Sequence, residues 1–312
     1  MTDHIIPATR FADPTVDFAF KRIFGTEKYK DATINLLNGL IPELRIKDVS
    51  FINTELIGES QDSKKSVIDI RAKDDNGKEF IIEMQKASQK HFRERSLFYA
   101  SKVVSLLGQV GSSEYNIPPV YFVSFLNFSM KELGVGTDDG RYMLHYSTCD
   151  QQSGEKLPCA PEYYFYCLTD FKKKKGPLTV QEKWIYLLQN SKTFREVPEE
   201  YVSDKTFGAY FEASNRASFT KAEEDQYTRD MMTQRDIENS KREACERAKA
   251  EGIAEGKAEG RAEGKAEGVA EGKAEGAAEK SREVARKMKV DGLEPSLIAK
   301  YSGLSLEEIN EL

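Results

Sequence analysis

The sequence predicts an α/β fold, an αβββαβ core on a mixed sheet followed by a helical C-terminal extension. Three observations carry this. Residues 13–128 read in order as helix, three strands, helix and strand. A strand–turn–strand signal, SVIDIRAKDDNGKEFIIEMQK, occupies Ser66 to Lys86. Past residue 240 the composition shifts to a Glu-Gly repeat with helical spacing.

The central hairpin comprises Val67–Ala72 and Glu79–Gln85, rich in Ile, Val and Phe with polar residues interleaved. Asp75-Asn76-Gly77 supplies the turn, because Asn and Gly tolerate positive φ. If Asp74 and Lys78 close that loop, Asp69 faces Glu83 with side-chain roots about 5 Å apart, and Gln85 shares their face. A two-residue Asn-Gly turn would instead pair Asp69 with Met84. Two acids among isoleucines repel one another unless a cation lies between them, and an oxygen-preferring ion, Mg²⁺ or Mn²⁺, suits them. A solvated face with ordinary acids is the plain alternative.

Before the hairpin, Asp13-Pro14-Thr15 is a helix start, and Phe18, Phe20, Ile23 and Phe24 crowd a short helix ended by Gly25. Asp17 and Lys21 lie one turn apart on it, either as a surface i,i+4 pair or leaning over a neighbouring site. A second helix spans about Lys28 to Asn38, stopped by Gly39 and Pro42. Asp48–Ile57 is the first strand and carries Glu55.

After the hairpin, His91–Val110 is a long helix with Tyr99, Val103, Leu106, Leu107 and Val110 as its buried stripe. Its basic opening, Lys86, Lys90, His91, Arg93 and Arg95, is placed to meet phosphate oxygens. Val120–Phe128 is a buried strand, and Tyr142–Cys149 and Tyr163–Thr169 are two more. Lys172–Lys175 form a lysine run, Val180–Gln189 is helical, and helical pattern resumes from Glu196 to Lys241.

The division expected is a leader over 1–12, a main domain over 13–240 (core 13–128, accessory elements 129–240), a repeat tail over 241–280 and a small helical segment over 281–312. In the tail a Glu-Gly step recurs every four residues from Glu251, seven times. Each Gly costs a helix about 1 kcal/mol relative to Ala, so the tail reads as a spacer with partial helix content. The competing reading is a small-residue helix that self-associates into a homo-oligomer, its period of four favouring a right-handed seam.

The net charge of −6 gives no global nucleic-acid signal, so such contacts must come from local basic clusters. Four cysteines without CxxC spacing and three scattered histidines indicate neither a zinc site nor a disulfide frame. There is no basic-then-apolar leader and no run long enough to span a membrane, so a cytoplasmic location with no membrane partner is expected.

In DFAFKRIFG (Asp17–Gly25), VIDIRAKDDNGKEFIIEMQ, FRERSLFYASKVVSLLGQV, PPVYFVSFLNF and the Glu-Gly tail ending in GLSLEEI, the chain resembles the PD-(D/E)XK nuclease superfamily, and within it the Rpn recombination-promoting nucleases and transposases. The resemblance covers most of the chain. It implies a restriction-endonuclease-like core and a Mg²⁺- or Mn²⁺-dependent DNA endonuclease. Asp69 and Glu83 would hold the metal together with the Met84 carbonyl. Gln85 stands where the superfamily usually has Lys and would orient water; Asp17 is the first-helix acid, with Glu55 the alternative. Lys21 would balance charge, and Lys86, Lys90, Arg93 and Arg95 would contact DNA phosphates. The Gln85 departure and the acidic charge keep open an alternative, a non-catalytic DNA-binding or assembly protein on a nuclease-like scaffold.

Overall fold

The Asp75-Asn76-Gly77 turn sets the register of the sheet. Gly77 adopts φ +83°, a conformation that a Cβ would strain. Oδ1 of Asp74 accepts the amides of Asn76 (2.9 Å) and Lys78 (2.8 Å), and the Asp74 amide donates to the Lys78 carbonyl at 3.0 Å. The flanking strands pair Ile70 with Ile82 and Lys73 with Glu79, the register of a loop closed by Asp74 and Lys78.

The computed structural model describes residues 9–56, 66–108, 117–136, 140–173 and 176–312. Most of the expected leader, Ile57 of the first strand, Val110 of the long helix, and Lys174 and Lys175 of the lysine run lie outside the described residues. Helices α1 (Asp17–Phe24) and α2 (Lys30–Leu40) precede strands β1 (Val49–Phe51), β2 (Glu55–Leu56), β3 (Ser66–Val67), β4 (Ile70–Asp74) and β5 (Glu79–Gln85). Helix α3 (Phe92–Gly108) leads to β6 (Val120–Leu126), β7 (Met143–Tyr146) and β8 (Glu162–Cys167). Then come α4 (Val180–Asn190), α5 (Glu199–Val202), α6 (Gly208–Ser214), α7 (Lys221–Val290), α8 (Pro295–Ser302) and α9 (Leu306–Glu311).

Six strands form one mixed sheet in the order β1-β4-β5-β6-β8-β7. β5, β6 and β8 are mutually parallel, while the β1–β4, β4–β5 and β7–β8 pairs are antiparallel. Alternation along β5 divides the core. Phe80 and Ile82 face a large cluster with Phe20, Leu37, Trp184 and Tyr210, contributed by α1, α2, α4 and α6. Ile81 faces a second cluster with Phe92, Ala100 and Val103 of α3. The sheet is thus covered on both sides, as parallel strands require. An αβββαβ core with a helical extension is what the chain builds.

Several local expectations are corrected. Helix α1 begins at Asp17 rather than in the Asp13–Thr15 stretch. Asp13 instead caps its own turn, its Oδ1 accepting from the Thr15 amide (3.0 Å) and hydroxyl (2.7 Å), and pairs with Lys192 at 2.8 Å. The expected first strand breaks into β1 and β2, and β2 pairs with β3 in a separate two-stranded sheet. That diversion interrupts the predicted Val67–Ala72 strand at Ile68 and Asp69. The buried face of α3 is Phe92, Ser96, Ala100 and Val103; Leu106 is exposed, and Tyr99 and Leu107 only flank the core.

Gly39 lies inside α2 rather than ending it. A Cβ there would meet the Trp184 ring at 2.5 Å. The glycine is required by close helix–indole approach, so Gly39→Ala is expected to cost roughly 1–3 kcal/mol in urea unfolding, against a small gain at an open helical glycine.

Residues through Arg235 form one compact unit and Asp236–Leu312 a second. In the second, α7 is helical through the whole Glu-Gly repeat and past position 280, where a spacer of partial helix content is expected. A Cβ at any repeat glycine from Gly252 to Gly276 would meet nothing within 4 Å, so close packing within the chain does not require them. Each repeat advances the glycine column about 40° around a helix of 3.6 residues per turn. The column therefore winds around the rod and makes no straight face. At the end, Ala285, Ile298 and Ile309 form a small core, Gly303 caps α8 at φ +74°, and Ser305 and Glu308 cap α9 reciprocally.

Candidate active site

At Asp69 the chain has left the two-stranded sheet but has not yet joined β4. A reciprocal pair of side-chain bonds continues the ladder there. The Met84 amide donates to Asp69 Oδ2 at 2.9 Å, and the Asp69 amide to Glu83 Oε1 at 3.3 Å. Both carboxylates are thereby fixed by main chain at the C-terminal end of β5. Glu83 is only 3% exposed and Asp69 is half-buried. Met84, half-buried, offers its amide to Asp69 while its side chain packs against the larger core.

Gln85 closes the next link. Its Nε2 donates to Glu83 Oε2 at 2.8 Å, and its Oε1 accepts from Arg95 Nη2 at 2.9 Å. Because a guanidinium only donates, the amide oxygen must face Arg95 and the NH₂ must face Glu83. Arg95 also donates to the Gln89 side chain and lies over the rings of Phe92 and Tyr99, 5.3 and 5.9 Å from their centroids. Across the sheet edge, Lys21 of α1 pairs with Asp17 at 2.8 Å.

The electrostatics tie these groups together. Burial, and then the charge of Asp69, push the Glu83 carboxyl up to about 8; the Asp69 amide, Arg95 and Gln85 offset this only in part. Burial likewise raises Asp69, with Asp17 adding to the rise, against the Met84 amide, Lys21 and Arg95. Burial disfavours the Lys21 ammonium, but the bond to Asp17 and the charges of Asp17, Asp69 and Glu83 outweigh it and hold the lysine above its usual range.

The Glu83 shift has a thermodynamic consequence. A carboxyl that titrates near 8 folded and near 4.5 unfolded keeps more protons in the folded state between those values. Stability of the metal-free protein therefore falls as pH rises through that window. In EDTA, urea melts should lose on the order of a few kcal/mol from pH 5 to 8, and Glu83→Gln should remove most of that slope.

The donor set fits a hard divalent cation: two carboxylates with excess negative charge, and amide oxygens nearby. Among the described residues no set of three His, Cys, Asp or Glu side chains is placed to hold a metal. Further ligands would be water or substrate oxygens, the usual habit of Mg²⁺.

The structure thus brings Asp69, Glu83, Gln85 and Arg95 into one bonded chain, with the charges of Asp17 and Lys21 reaching it. Glu55 sits exposed on β2. Lys86 turns to α7, donating to Gln234 at 2.7 Å. Lys90 and Arg93 are exposed, and His91, at φ +63°, precedes α3 rather than opening it. Sequence reasoning missed Gln89 and Tyr99 as partners of Arg95. Aromatic residues three before and four after an arginine on one helix were the available signal. It also missed Arg22, a buried residue of α1, the helix that carries Asp17 and Lys21.

Among the described residues no helix is long and apolar enough to cross a membrane. No curated protein and no solved structure matches the chain. A family model described as PD-(D/E)XK nuclease family transposase matches residues 14–244, a stretch that contains every side chain of the site. With its mixed sheet and its paired acids at Asp69 and Glu83, the chain belongs to the PD-(D/E)XK nuclease family transposases.

Proposed function

We propose that the chain is a metal-dependent DNA endonuclease that hydrolyses phosphodiester bonds during DNA recombination or mobile-element transfer. The observation that carries this reading is the main-chain-locked pair Asp69 and Glu83, held at a strand end between the cations Lys21 and Arg95. A buried carboxyl such as Glu83, pushed up further by the charge of a half-buried Asp69 beside it, is costly to an empty scaffold and useful to a cation site.

Asp69 and Glu83 would hold Mg²⁺ or Mn²⁺, with the Met84 carbonyl as a further candidate ligand. Such an ion, when bound, lowers the pKa of a water and neutralises charge on the scissile phosphate. Arg95 holds Gln85, and Gln85 presents its NH₂ to Glu83, which leaves one amide hydrogen to orient a water. Gln85 cannot act as a base, nor can it supply the charge of the Lys usual at that position. Lys21 and Arg95 supply that charge from either side of the sheet edge, with Asp17 fixing Lys21. Lys86, Lys90 and Arg93 extend the positive surface along the DNA backbone.

The test is nicking of supercoiled plasmid by the purified full chain in Mg²⁺, Mn²⁺ or EDTA. Nicks are expected in either metal and none in EDTA. Salt-sensitive DNA binding without any cut product in both metals would leave a non-catalytic DNA-binding protein in its place.

A further inference from the structure

A second basic feature lies on the same edge of the sheet as the acids. A cavity of about 470 Å³ is lined by Lys131, Arg141, Tyr142, Asp170, Lys172 and Lys173, among others. Its walls follow β6 and β8 and precede β7. Since β5, β6 and β8 are parallel and β7 is antiparallel to β8, these segments all emerge where β5 delivers Glu83 and Gln85. Gln85 pairs with Leu126, and Leu126 with Cys167, so two strand spacings, roughly 10 Å, separate β5 from β8.

Physical links run between the two places. Ser88, just past β5, donates its hydroxyl to the Glu132 carbonyl at 3.1 Å. The Arg93 guanidinium lies 3.8 Å from the Cβ position of Gly134 in the same turn. The cavity's acids are engaged locally. Asp170 accepts the Met130 amide at 2.7 Å, and Glu182 accepts the Thr179 amide at 2.9 Å and its hydroxyl at 3.1 Å. Lys173 pairs with Glu200 at 3.2 Å, whereas neither Lys131 nor Lys172 has an ion pair among the described residues. Local positive charge on a chain of net charge −6 marks an anion site.

We infer that this cavity binds backbone phosphates of the nucleic acid strand flanking the scissile phosphate, with Lys131 and Lys172 as the principal contacts and Arg141 beside them. The inference rests on the nuclease reading for its ligand, and its test needs no cleavage. Anisotropy titrations of a fluorescent 30-nucleotide single strand with the full chain in EDTA would compare wild type, Lys131→Ala/Lys172→Ala, and a control, Lys47→Ala/Lys205→Ala, at exposed lysines outside the cavity. The cavity variant is expected to bind about tenfold more weakly, with a log–log salt slope shallower by roughly 1.4, about 0.7 for each lost phosphate contact. The control should match wild type, and circular dichroism melts should show all three equally folded. Unchanged affinity and slope in the cavity variant would overturn this site while leaving the nuclease reading in place. Failure of wild type to bind the strand at any salt would also overturn this site, while plasmid nicking in Mg²⁺ or Mn²⁺ decides the nuclease reading separately.

Discussion

Asp69→Ala and Glu83→Ala should each slow metal-dependent plasmid nicking by on the order of 10³-fold or more, the scale for removing a group that stabilises charge at the reacting centre. The double variant should be scarcely worse than either single one, because the two acids act as a unit. Conservative variants separate chemistry from folding. Asp69→Asn keeps an oxygen to accept the Met84 amide, now bonded at 2.9 Å, so the turn into β4 survives while the charge is lost. Glu83→Gln removes a buried charge that burial and Asp69 both oppose. It is therefore expected to be inactive yet more stable than wild type in EDTA at pH 8. Opposite signs in activity and stability distinguish a functional site from a structural ion pair. Arg71 and Glu79 provide the comparison on the same hairpin, a buried pair at 2.7 Å whose disruption should destabilise. Nicking by Asp69→Asn or Glu83→Gln at the wild-type rate would remove these acids from the mechanism.

The hairpin register was legible because a single turn determines it. Asp75-Asn76-Gly77 demands a positive φ at one position, and every pairing from Ile70 to Lys73 follows. The Asp69–Glu83 juxtaposition followed from that register, although the strand itself fails at Asp69. The sequence did not reveal that failure, since it arises from β2 taking β3 as a partner, a contact across residues distant in the chain. Helix ends at Asp13 and Gly39 misled for a related reason. Asp and Gly carry the same local signal whether they cap a helix, close a turn or let an indole approach. The helix through the Glu-Gly repeat went against residue propensity, which describes an isolated segment. Arg95 was identified by its position after β5, but its hold on Gln85 depends on how α3 crosses the sheet, and no spacing encodes that angle.

Arg22→Ala should lower stability by roughly 3–5 kcal/mol, because it removes a buried cation that serves three acceptors at once and leaves the buried Ala213 carbonyl without that donor. The side chain is 6% exposed, one residue from Lys21 on α1. Its Nε donates to Glu223 at 2.9 Å, its Nη1 to the Ala213 carbonyl, and its Nη2 to the Ser218 carbonyl at 3.4 Å. The guanidinium also lies 4.2 Å from the centroid of Phe219. One planar cation thus fastens the site helix to α6 and to the first turn of α7. A lysine has no fork to reach three acceptors together, so Arg22→Lys should recover only a minor part of the loss. Glu223→Gln should cost about 1 kcal/mol, since a neutral acceptor for the arginine remains and only charge is lost. The mechanism also predicts a functional consequence. If α1 loosens, Lys21 no longer sits in the field of Asp69 and Glu83, and nicking should fall before the protein unfolds. Urea titrations checked by circular dichroism, run beside nicking assays at low urea, measure both effects. A change of under 1 kcal/mol for Arg22→Ala would show that the arginine does not anchor the helix carrying Asp17 and Lys21.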